Sequence, residues 1–380
     1  MKLAVPTETR PGERRVALVP DVVKKLVGSG WEVVIQAGAG HEAAFGDHAY
    51  RDAGATVAPD AAAANEGAAL VVRVNAPSAA EAEMLPPDAV SLSFFQAAQS
   101  ADALRVLAGR RATVFSFDLL PRISRAQSMD ALSSQATVSG YRAGLAAAEH
   151  LAKFFPMFMT AAGTVPPAKV LVMGVGVAGL QSIATARRLG AVVKAYDVRT
   201  AAKEEAESLG ATFLDLGVSA EGTGGYAREL TPEELERQRT ALAAEVAASD
   251  VVITTAAVPG RRAPVLLTTA MVEGMSEGAV VVDMAADSGG NCELTTSGEV
   301  IDHGGVAVVG LANPPSGMPT HASFLYSRNV ANVLALMGAE GTLAPDWEDE
   351  IVQGMCVLRD GAAVAPAASE VLGGSGGGAQ

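Results

Sequence analysis

A glycine-rich run, GVGVAG at residues 174–179, has a spacing that suits a bound ligand. Its glycines, Gly174, Gly176 and Gly179, lie between a predicted strand and a predicted helix, the context in which this spacing binds dinucleotides. Gly174 permits the tight turn, Gly176 lets backbone approach a pyrophosphate, and Gly179 lets the helix lie close to the strand. The helix N-terminus would offer N–H groups to the phosphates. A glycine turn without a ligand is the alternative.

The next predicted strand ends in YDV, and its carboxylate suits the ribose of such a ligand. Asp197 falls where an acid accepts hydrogen bonds from the ribose hydroxyls. Because an acid there repels a 2′-phosphate, the sequence favours NAD over NADP. Arg199 follows two residues later and weakens that preference.

Two later loops suit the same ligand. The run TTAAVPG, residues 254–260, ends a predicted strand, and nicotinamide sits at the carboxyl edge of such strands. An ordinary strand-to-helix loop is the alternative there. The glycine-laden run LGVSAEGTGGY, residues 216–226, ends in Tyr226 and suggests a lid over a bound cofactor. A disordered insertion is the alternative interpretation of that run.

The run PRISRAQSMD, residues 121–130, gathers charged and amide side chains in a chain with few charges. It lies at the junction of two predicted domains, and ligand sites favour such junctions. An arginine, an amide and a carboxylate in one run can position a nicotinamide carboxamide and ribose without any proton transfer. Salt bridges between the domains are the alternative.

These runs are carried by strands and helices that alternate along the chain, a pattern typical of parallel, doubly wound sheets. The sequence predicts an α/β fold with two doubly wound Rossmann-like domains, the second a dinucleotide-binding Rossmann domain. Residues 1–135 and 320–380 are expected to form the first domain and residues 136–319 the second. The glycine-rich end, residues 373–380, is expected to be a flexible tail.

Three local predictions can be compared with the structure. An alanine-rich helix is expected over roughly residues 130 to 155, broken by PMFMTAAGTVPPA. Thr231 and Glu234 predict a capping box at the start of another helix. The last stretch, EDEIVQGMCVLRDGAAVAPA, predicts a small hairpin.

Composition excludes several classes of function. The net charge of −14 and the lack of a basic run argue against nucleic acid and anionic lipid as partners. The apolar run at residues 170–186 contains the glycine turn, so it predicts a buried strand and helix and no membrane span. No secretory signal is evident, and Cys292 and Cys356 cannot form a disulfide framework, so a cytoplasmic protein is expected. No histidine spacing predicts a metal site.

Together the runs RISRAQSMDALSS, TAAGTVPPAKVLVMGVGVAGLQSIATARRLGA, GGYAREL and DMAADSGGNCE give the sequence a family resemblance. It resembles the alpha subunits of proton-translocating NAD(P) transhydrogenases, specifically their NAD(H)-binding domain I as a separate chain. The resemblance runs from VPTETRPGERRVALVP to at least VQGMCVLRDG.

The resemblance implies a set of cofactor-binding residues. At the nicotinamide end it implies Arg122, Gln127 and Asp130 as the catalytic loop, with Ser128, Met129 and Ser133 beside them. At the pyrophosphate it implies Gly174, Val175, Gly176, Val177 and Gly179, and at the adenosine ribose Asp197, Val198 and Arg199. It further implies Gly225 and Tyr226 of a mobile loop, Gln238 nearby, and Thr255, Ala256 and Ala257 of a run usually written TTALIPG.

Alanine dehydrogenases share this architecture, so the residues that distinguish the two families decide which one the sequence resembles more. Their proton-handling lysine corresponds to Arg73 here, and Phe95 or Gln96 stands where their histidine belongs. An arginine does not release its proton at working pH, and phenylalanine cannot relay one. Arg15 is retained in both families, whereas Asp287 stands where alanine dehydrogenases carry an active-site aspartate. The two missing proton-handling groups favour the transhydrogenase.

The resemblance implies direct hydride transfer from NADH on this chain to NADP+ on a partner subunit, which needs only the right approach geometry. It further implies a homodimer, docked through membrane-domain and NADP(H)-binding subunits on the cytoplasmic, inner face of the membrane. Proton translocation would come from those partners. A soluble amino-acid dehydrogenase and a non-catalytic NAD-sensing module are the alternatives.

Overall fold

The computed structural model describes residues 1–217, 231–257 and 262–373. The chain divides into two compact units. Unit 1 combines residues 1–135 with residues 318–380, and unit 2 consists of residues 136–317. Unit 1 is therefore discontinuous in sequence.

The N-terminal segment of unit 1 alternates strands with helices. The strands are β1 (Lys2–Val5), β2 (Glu32–Gln36), β3 (Thr56–Ala58), β4 (Leu70–Val72), β5 (Val90–Ser93) and β6 (Thr113–Ser116). The helices are α1 (Pro20–Gly28), α2 (Asp47–Asp52), α3 (Ala61–Asn65), α4 (Ala79–Glu83) and α5 (Ala101–Gly109). Pro20 suits the first turn of α1, and Ser78 and Glu81 form a capping box at α4.

The chain passes from unit 1 to unit 2 within α6 (Ala131–His150). The strands that follow are β7 (Phe158–Thr160), β8 (Gly163–Val165), β9 (Lys169–Met173), β10 (Val192–Tyr196), β11 (Thr212–Phe213), β12 (Val251–Thr254), β13 (Val280–Asp283), β14 (Val300–His303) and β15 (Val306–Gly310). The helices between them are α7 (Val177–Arg188), α8 (Ala202–Ser208), α9 (Pro232–Ala247) and α10 (Thr269–Glu273).

The C-terminal segment returns to unit 1. It contains α11 (Pro319–Met337), β16 (Gly338–Ala339), β17 (Thr342–Leu343), α12 (Glu350–Met355), β18 (Cys356–Arg359), β19 (Ala362–Ala363) and α13 (Pro366–Gly373). Strand β18 pairs antiparallel with β6, with Cys356 opposite Phe115, so this segment completes the sheet that the N-terminal segment begins.

The sheet of unit 1 has the order β19-β18-β6-β5-β4-β1-β2-β3. Strands β1 to β6 are parallel, and Leu3 of β1 lies between Val33 and Leu70 of its neighbours. From β1 the strands β2 and β3 are added on one side of the sheet, and β4, β5 and β6 on the other, so the strand order reverses between β1 and β4. Ligands bind at the carboxyl ends of the strands at such a switch point. Buried side chains on both faces form two large cores and one small cluster.

The main sheet of unit 2 has the order β11-β10-β9-β12-β13-β15-β14. All its pairs are parallel except β14 with β15, and strands β12 and β13 are buried throughout. Its switch point lies between β9 and β12. The loop after β9 carries the glycines, and the loop after β12 begins with Thr255, so both predicted runs meet at this point.

The predicted α/β fold class is confirmed, with antiparallel strands confined to sheet edges and small hairpins. The capping box at α9 is confirmed as well, since Thr231 and Glu234 exchange both of its hydrogen bonds. Two local predictions are incomplete. The predicted break after α6 contains the β7–β8 hairpin, and the C-terminal hairpin is preceded by α12.

Two further properties concern only the described ranges, 1–217, 231–257 and 262–373. No helix there has both the length and the apolar character needed to cross a membrane. Nor do those ranges bring three or more His, Cys, Asp or Glu side chains together as a metal-binding group.

Candidate cofactor-binding site

Two of the three glycines in the loop after β9 are required by the fold itself. Gly174 has a φ of +96°, and a Cβ there would lie 2.6 Å from Thr255 Oγ1. A Cβ on Gly179 would lie 1.9 Å from the carbonyl oxygen of Gly174, so α7 could not lie so close to the turn. These two positions thus have the roles that the spacing predicts for a turn and a close approach.

Gly176 differs because the fold does not need it. A Cβ there would meet no atom of the described ranges within 4 Å, and its backbone is extended with φ of −78°. It precedes α7, a helix of 12 residues that no side-chain hydrogen bond caps within the described chain, and Val177 beside it is exposed. The first turn of α7 therefore begins at exposed residues and lacks a side-chain cap within the described ranges, an arrangement that suits a phosphate.

Asp197, at the end of β10, is bonded directly to this loop. Its Oδ2 accepts a hydrogen bond from Val175 N at 2.7 Å. Arg199 holds the same carboxylate through its backbone N at 2.9 Å, its Nε at 2.9 Å and its Nη2 at 2.7 Å. The hydrogen bond to Asp197 raises the pKa of Arg199, although burial opposes that shift. Each oxygen of Asp197 already accepts two bonds, so a ribose hydroxyl must share or replace a bond from Arg199.

The loop after β12 contacts the glycine turn. Thr255 donates from N to Met173 O at 2.9 Å and from Oγ1 to Gly174 O at 2.9 Å. Ala256 is half-buried and Ala257 is exposed, while residues 258–261 of the same run lie outside the described residues. The structure thus brings Thr255 and Ala256 beside Gly174, as expected for loops at one switch point.

A buried residue that sequence reasoning missed holds this loop. The side chain of Asn291 accepts a hydrogen bond from Ala256 N at 3.0 Å and donates to Ala256 O at 2.8 Å and Pro264 O at 2.7 Å. The asparagine lies in the GGNCE run, next to Cys292, and nothing in that run alone predicts its contact with Ala256. Burial raises the pKa of the Cys292 thiol to about 11, which fits a structural thiol.

Gln238 and Val198 lie near the end of β10. Gln238 Nε2 donates to the hydroxyl of Tyr196 at 3.1 Å, and its buried Oε1 has no hydrogen-bond partner within the described chain. Burial raises the pKa of Tyr196. Val198 is partly buried against the core beneath this edge of the sheet. Gly225 and Tyr226 of the predicted lid lie outside the described residues.

The run PRISRAQSMD forms a short 3-10 helix, Ser124–Met129, in unit 1. Arg122, Gln127 and Ser128 are exposed, and Met129 is buried in the core. Asp130 caps α6, because its carboxylate accepts hydrogen bonds from Ser133 N at 2.9 Å and Ser133 Oγ at 2.6 Å.

Three further side chains anchor this run, and sequence reasoning missed all of them. Arg125 makes a bidentate pair with Asp349 at 2.7 and 2.9 Å and also reaches Glu350 at 3.3 Å. The hydrogen bond from Arg125 holds the pKa of Asp349 below its usual value, against the opposing effect of burial. Asn329 and Asn332 of α11 donate to Ser128 O at 3.0 and 2.7 Å. The exposed Gln127 is thus carried on a backbone fixed on both sides.

Charged residues also gather at the switch point of unit 1, around a cavity of about 480 Å³. Arg73 in its wall pairs with Glu81 at 2.6 Å and lies 3.9 Å from Glu8. Burial opposes ionisation of Glu81, but the charge of Arg73 and hydrogen bonds outweigh it and lower the pKa of Glu81. Burial raises the pKa of Glu8, although Arg73 opposes that shift.

Arg15 and Asp287, two positions compared with the alanine dehydrogenases, are both engaged within their own units. Glu13 binds Arg15 at 2.8 Å (Nε) and 2.6 Å (Nη2), and Gln135 accepts from Arg15 at 3.0 Å. Asp287 accepts hydrogen bonds from Ser297 Oγ at 2.6 Å and Asn313 N at 2.7 Å. Asp287 thus fixes two neighbouring loop segments.

Two family models match the chain. Residues 4–139 match "Alanine dehydrogenase/PNT, N-terminal domain", and residues 143–366 match "Alanine dehydrogenase/PNT, C-terminal domain". Together the two matches span nearly all of both units.

Individual relatives show similarity along the same length. An NAD(P) transhydrogenase subunit alpha chain of Rhodospirillum rubrum is 48% identical over 378 residues, covering 97% of this chain and 98% of that protein. Alanine dehydrogenase of Halomonas elongata is 31% identical over 385 residues, covering 98% and 97%. A crystal structure of transhydrogenase from Sinorhizobium meliloti has a TM-score of 0.84 and 42% identity, covering 97% and 100%. The similarity therefore includes proteins with two different named activities.

Proposed function

The chain belongs to the alanine dehydrogenase/PNT family, and from that premise we propose that it is the NAD(H)-binding alpha subunit of a proton-translocating NAD(P) transhydrogenase. The 48% identity to a transhydrogenase subunit, against 31% to an alanine dehydrogenase, supports this choice. Both named activities use a nicotinamide nucleotide. The choice between them therefore depends on whether the chain also has the groups that an amino-acid dehydrogenase needs to bind its substrate and transfer protons.

The buried ion pair between Arg73 and Glu81 is the observation that carries the choice. A dehydrogenase for amino acids needs a cation for the substrate carboxylate and groups that move protons. Here Glu81 and Glu8 surround Arg73, and Glu13 binds Arg15. The backbone N of Phe95 donates to Asp118 at 2.8 Å, and Gln96 Nε2 donates to the same carboxylate at 3.1 Å. Neither side chain can relay a proton, so this region suits a structural role.

The loops at the switch point of unit 2 support NAD(H) as the nucleotide. The open first turn of α7 fits a pyrophosphate, and Asp197 disfavours a 2′-phosphate beside the adenosine ribose. Because Arg199 is bound to that carboxylate, its charge is less available to attract such a phosphate. When bound, NADH supplies a hydride whose loss leaves NAD+ and whose gain converts NADP+ to NADPH.

The side chains of this chain then need only bind and orient. Gln127 is proposed to contact the nicotinamide or its ribose, from a backbone held by Asp130, Arg125 and the two asparagines of α11. No side chain has to gain or lose a proton during direct transfer, which agrees with a polar loop that has no histidine. The NADP(H)-binding site, proton translocation and attachment to the inner face of the membrane are assigned to partner subunits.

The test uses NADH deuterated at the transferred position, the purified chain and an NADP+-loaded partner subunit. We expect deuterium to appear in NADPH, and only when both proteins are present. Pyruvate and ammonium without partner should leave NADH absorbance unchanged. Rapid oxidation with pyruvate would instead make the chain an amino-acid dehydrogenase that uses Asp287. NADH binding without turnover, even with the partner, would make it an NAD-sensing module.

The β7–β8 hairpin supports the proposal of a homodimer. All residues of both strands are exposed, Met159 most of all at 80%. Phe158 at its base packs against Phe154 with ring centroids 4.7 Å apart, and both rings remain largely exposed. An apolar hairpin of this kind gains free energy when a second copy covers it.

Met159→Asp is therefore expected to weaken the dimer, raising its Kd about 100-fold because a charge replaces an apolar side chain that the second copy would cover. Sedimentation velocity over a concentration series measures the change. Val300→Asp is the matched control, because Val300 is also exposed and apolar in unit 2 but lies on β14. A dimer that survives Met159→Asp unchanged would remove the hairpin from the interface.

A further inference from the structure

We infer that Asn291 is a positioning residue for the nicotinamide end of the cofactor, acting through Thr255 and Ala256. This inference rests on the proposed function, because it needs nicotinamide to lie at the carboxyl end of β12. Asn291 itself is fully buried and touches no solvent. Whatever it contributes must therefore pass through the residues that it contacts.

The carboxamide of Asn291 joins two separate points of the chain. It makes both hydrogen bonds with the backbone of Ala256, and its second amide hydrogen bonds to Pro264 O at 2.7 Å. Ala256 comes before residues 257–260, the end of the TTAAVPG run, and Pro264 comes after them in sequence. One side chain thus holds both Ala256 and Pro264, two points on the connection from β12 to α10.

Asn291 is itself held rigidly. Its backbone N donates to Asp283 Oδ2 at 2.7 Å, and its carbonyl accepts from Leu266 N at 2.8 Å and Leu267 N at 2.9 Å. Asp283, at the end of β13, is fully buried and also accepts hydrogen bonds from Cys292 N and Thr295 Oγ1. A buried carboxylate with so many donors is costly to move, so the amide has one available orientation.

A displacement of Ala256 would directly alter the surroundings of Gly174, in the loop proposed to bind the cofactor. Ala256 N and Thr255 Oγ1 would lie 3.2 and 2.6 Å from a Cβ on Gly174, so this loop forms the wall of the glycine turn. By contrast, Val175 and Arg199 bond to Asp197, and none of these three residues bonds to Asn291. Loosening Asn291 should therefore disturb the nicotinamide end and spare the adenosine end.

Two variants test this inference by removing different hydrogen bonds of the Asn291 side chain. Asn291→Ala removes all three side-chain hydrogen bonds. Asn291→Asp keeps the volume of the side chain but lacks both amide donors, which removes the hydrogen bonds to Ala256 O and Pro264 O. Glu293→Ala is the control, since the Glu293 side chain accepts a hydrogen bond from Thr269 N at 2.7 Å but bonds to neither Thr255 nor Ala256.

Three measurements are made on each full-length variant: thermal unfolding, affinity for ADP-ribose and NADH, and single-turnover deuteride transfer to the NADP+-loaded partner. For both Asn291 variants we expect transfer to slow about tenfold or more, with ADP-ribose affinity within about twofold of wild type. If Asn291→Ala does not fold, Asn291→Asp decides. Wild-type transfer in a folded variant would overturn the inference, as would a parallel loss of ADP-ribose affinity. A wild-type protein that transfers no deuteride would instead refute the proposed function.

Discussion

Gln127→Asn is expected to slow hydride transfer about 100-fold and to change NADH affinity by no more than about threefold. The substitution withdraws the amide by one methylene, about 1 Å, and a misplacement of that size can cost 100-fold in rate. The backbone around it should not move. Ser128 O is held by two asparagines, Asp130 caps α6, and Arg125 is bound to Asp349. Single-turnover transfer and equilibrium titration with NADH measure the two effects separately.

The matched control is Gln99→Asn, the same change at another exposed glutamine of unit 1. It should leave both rate and affinity at wild-type values. If Gln127→Asn weakens binding as much as it slows transfer, the amide contributes binding energy equally to ground and transition states, and an orienting role is wrong.

Gly176→Ala is expected to weaken NADH binding at least tenfold while leaving thermal unfolding close to wild type. Among the described residues no atom lies within 4 Å of the added Cβ, and the backbone φ of −78° suits alanine. The methyl is therefore expected to obstruct a ligand that approaches the first turn of α7, such as a pyrophosphate. Calorimetric titration and thermal unfolding of one preparation give both values.

Gly179→Ala provides the contrast within the same loop. Its Cβ would lie 1.9 Å from the backbone oxygen of Gly174, so α7 must shift, and we expect a destabilisation of about 3 kcal/mol with loss of binding. Gly28→Ala is the control for the substitution itself, because Gly28 has open space and no positive φ. Undiminished NADH affinity in Gly176→Ala would show that no phosphate approaches there.

The glycine loop could be predicted from sequence because its constraints are local. A positive φ at Gly174 and a close approach at Gly179 follow from three residues within one turn, next to an apolar strand. The α9 capping box is local in the same way. The β7–β8 hairpin was missed because its strands are short and exposed on every residue, so they lack the alternation that marks a half-buried strand.

The anchors of the candidate site could not be predicted in this way. Arg125 meets Asp349 across 224 positions of sequence, and Asn329 meets Ser128 across 201. Polar side chains of this kind follow no periodicity, and only the folded backbone brings them together. The Arg199 clamp on Asp197 is a different case, because the two residues stand close together in YDVR and their pairing could have been anticipated.

The discontinuity of unit 1 has a consequence for folding during synthesis on the ribosome. Unit 2 is complete once residue 317 has emerged, but the edge of β6 waits for β18 until Cys356–Arg359 is synthesised. Meanwhile Val114 and Phe115, both fully buried in the finished protein, lie on an open sheet edge. Unit 1 is therefore the first unit to be synthesised in part and the last to be completed. During that interval we expect the unpaired edge of β6 to be a binding site for chaperones.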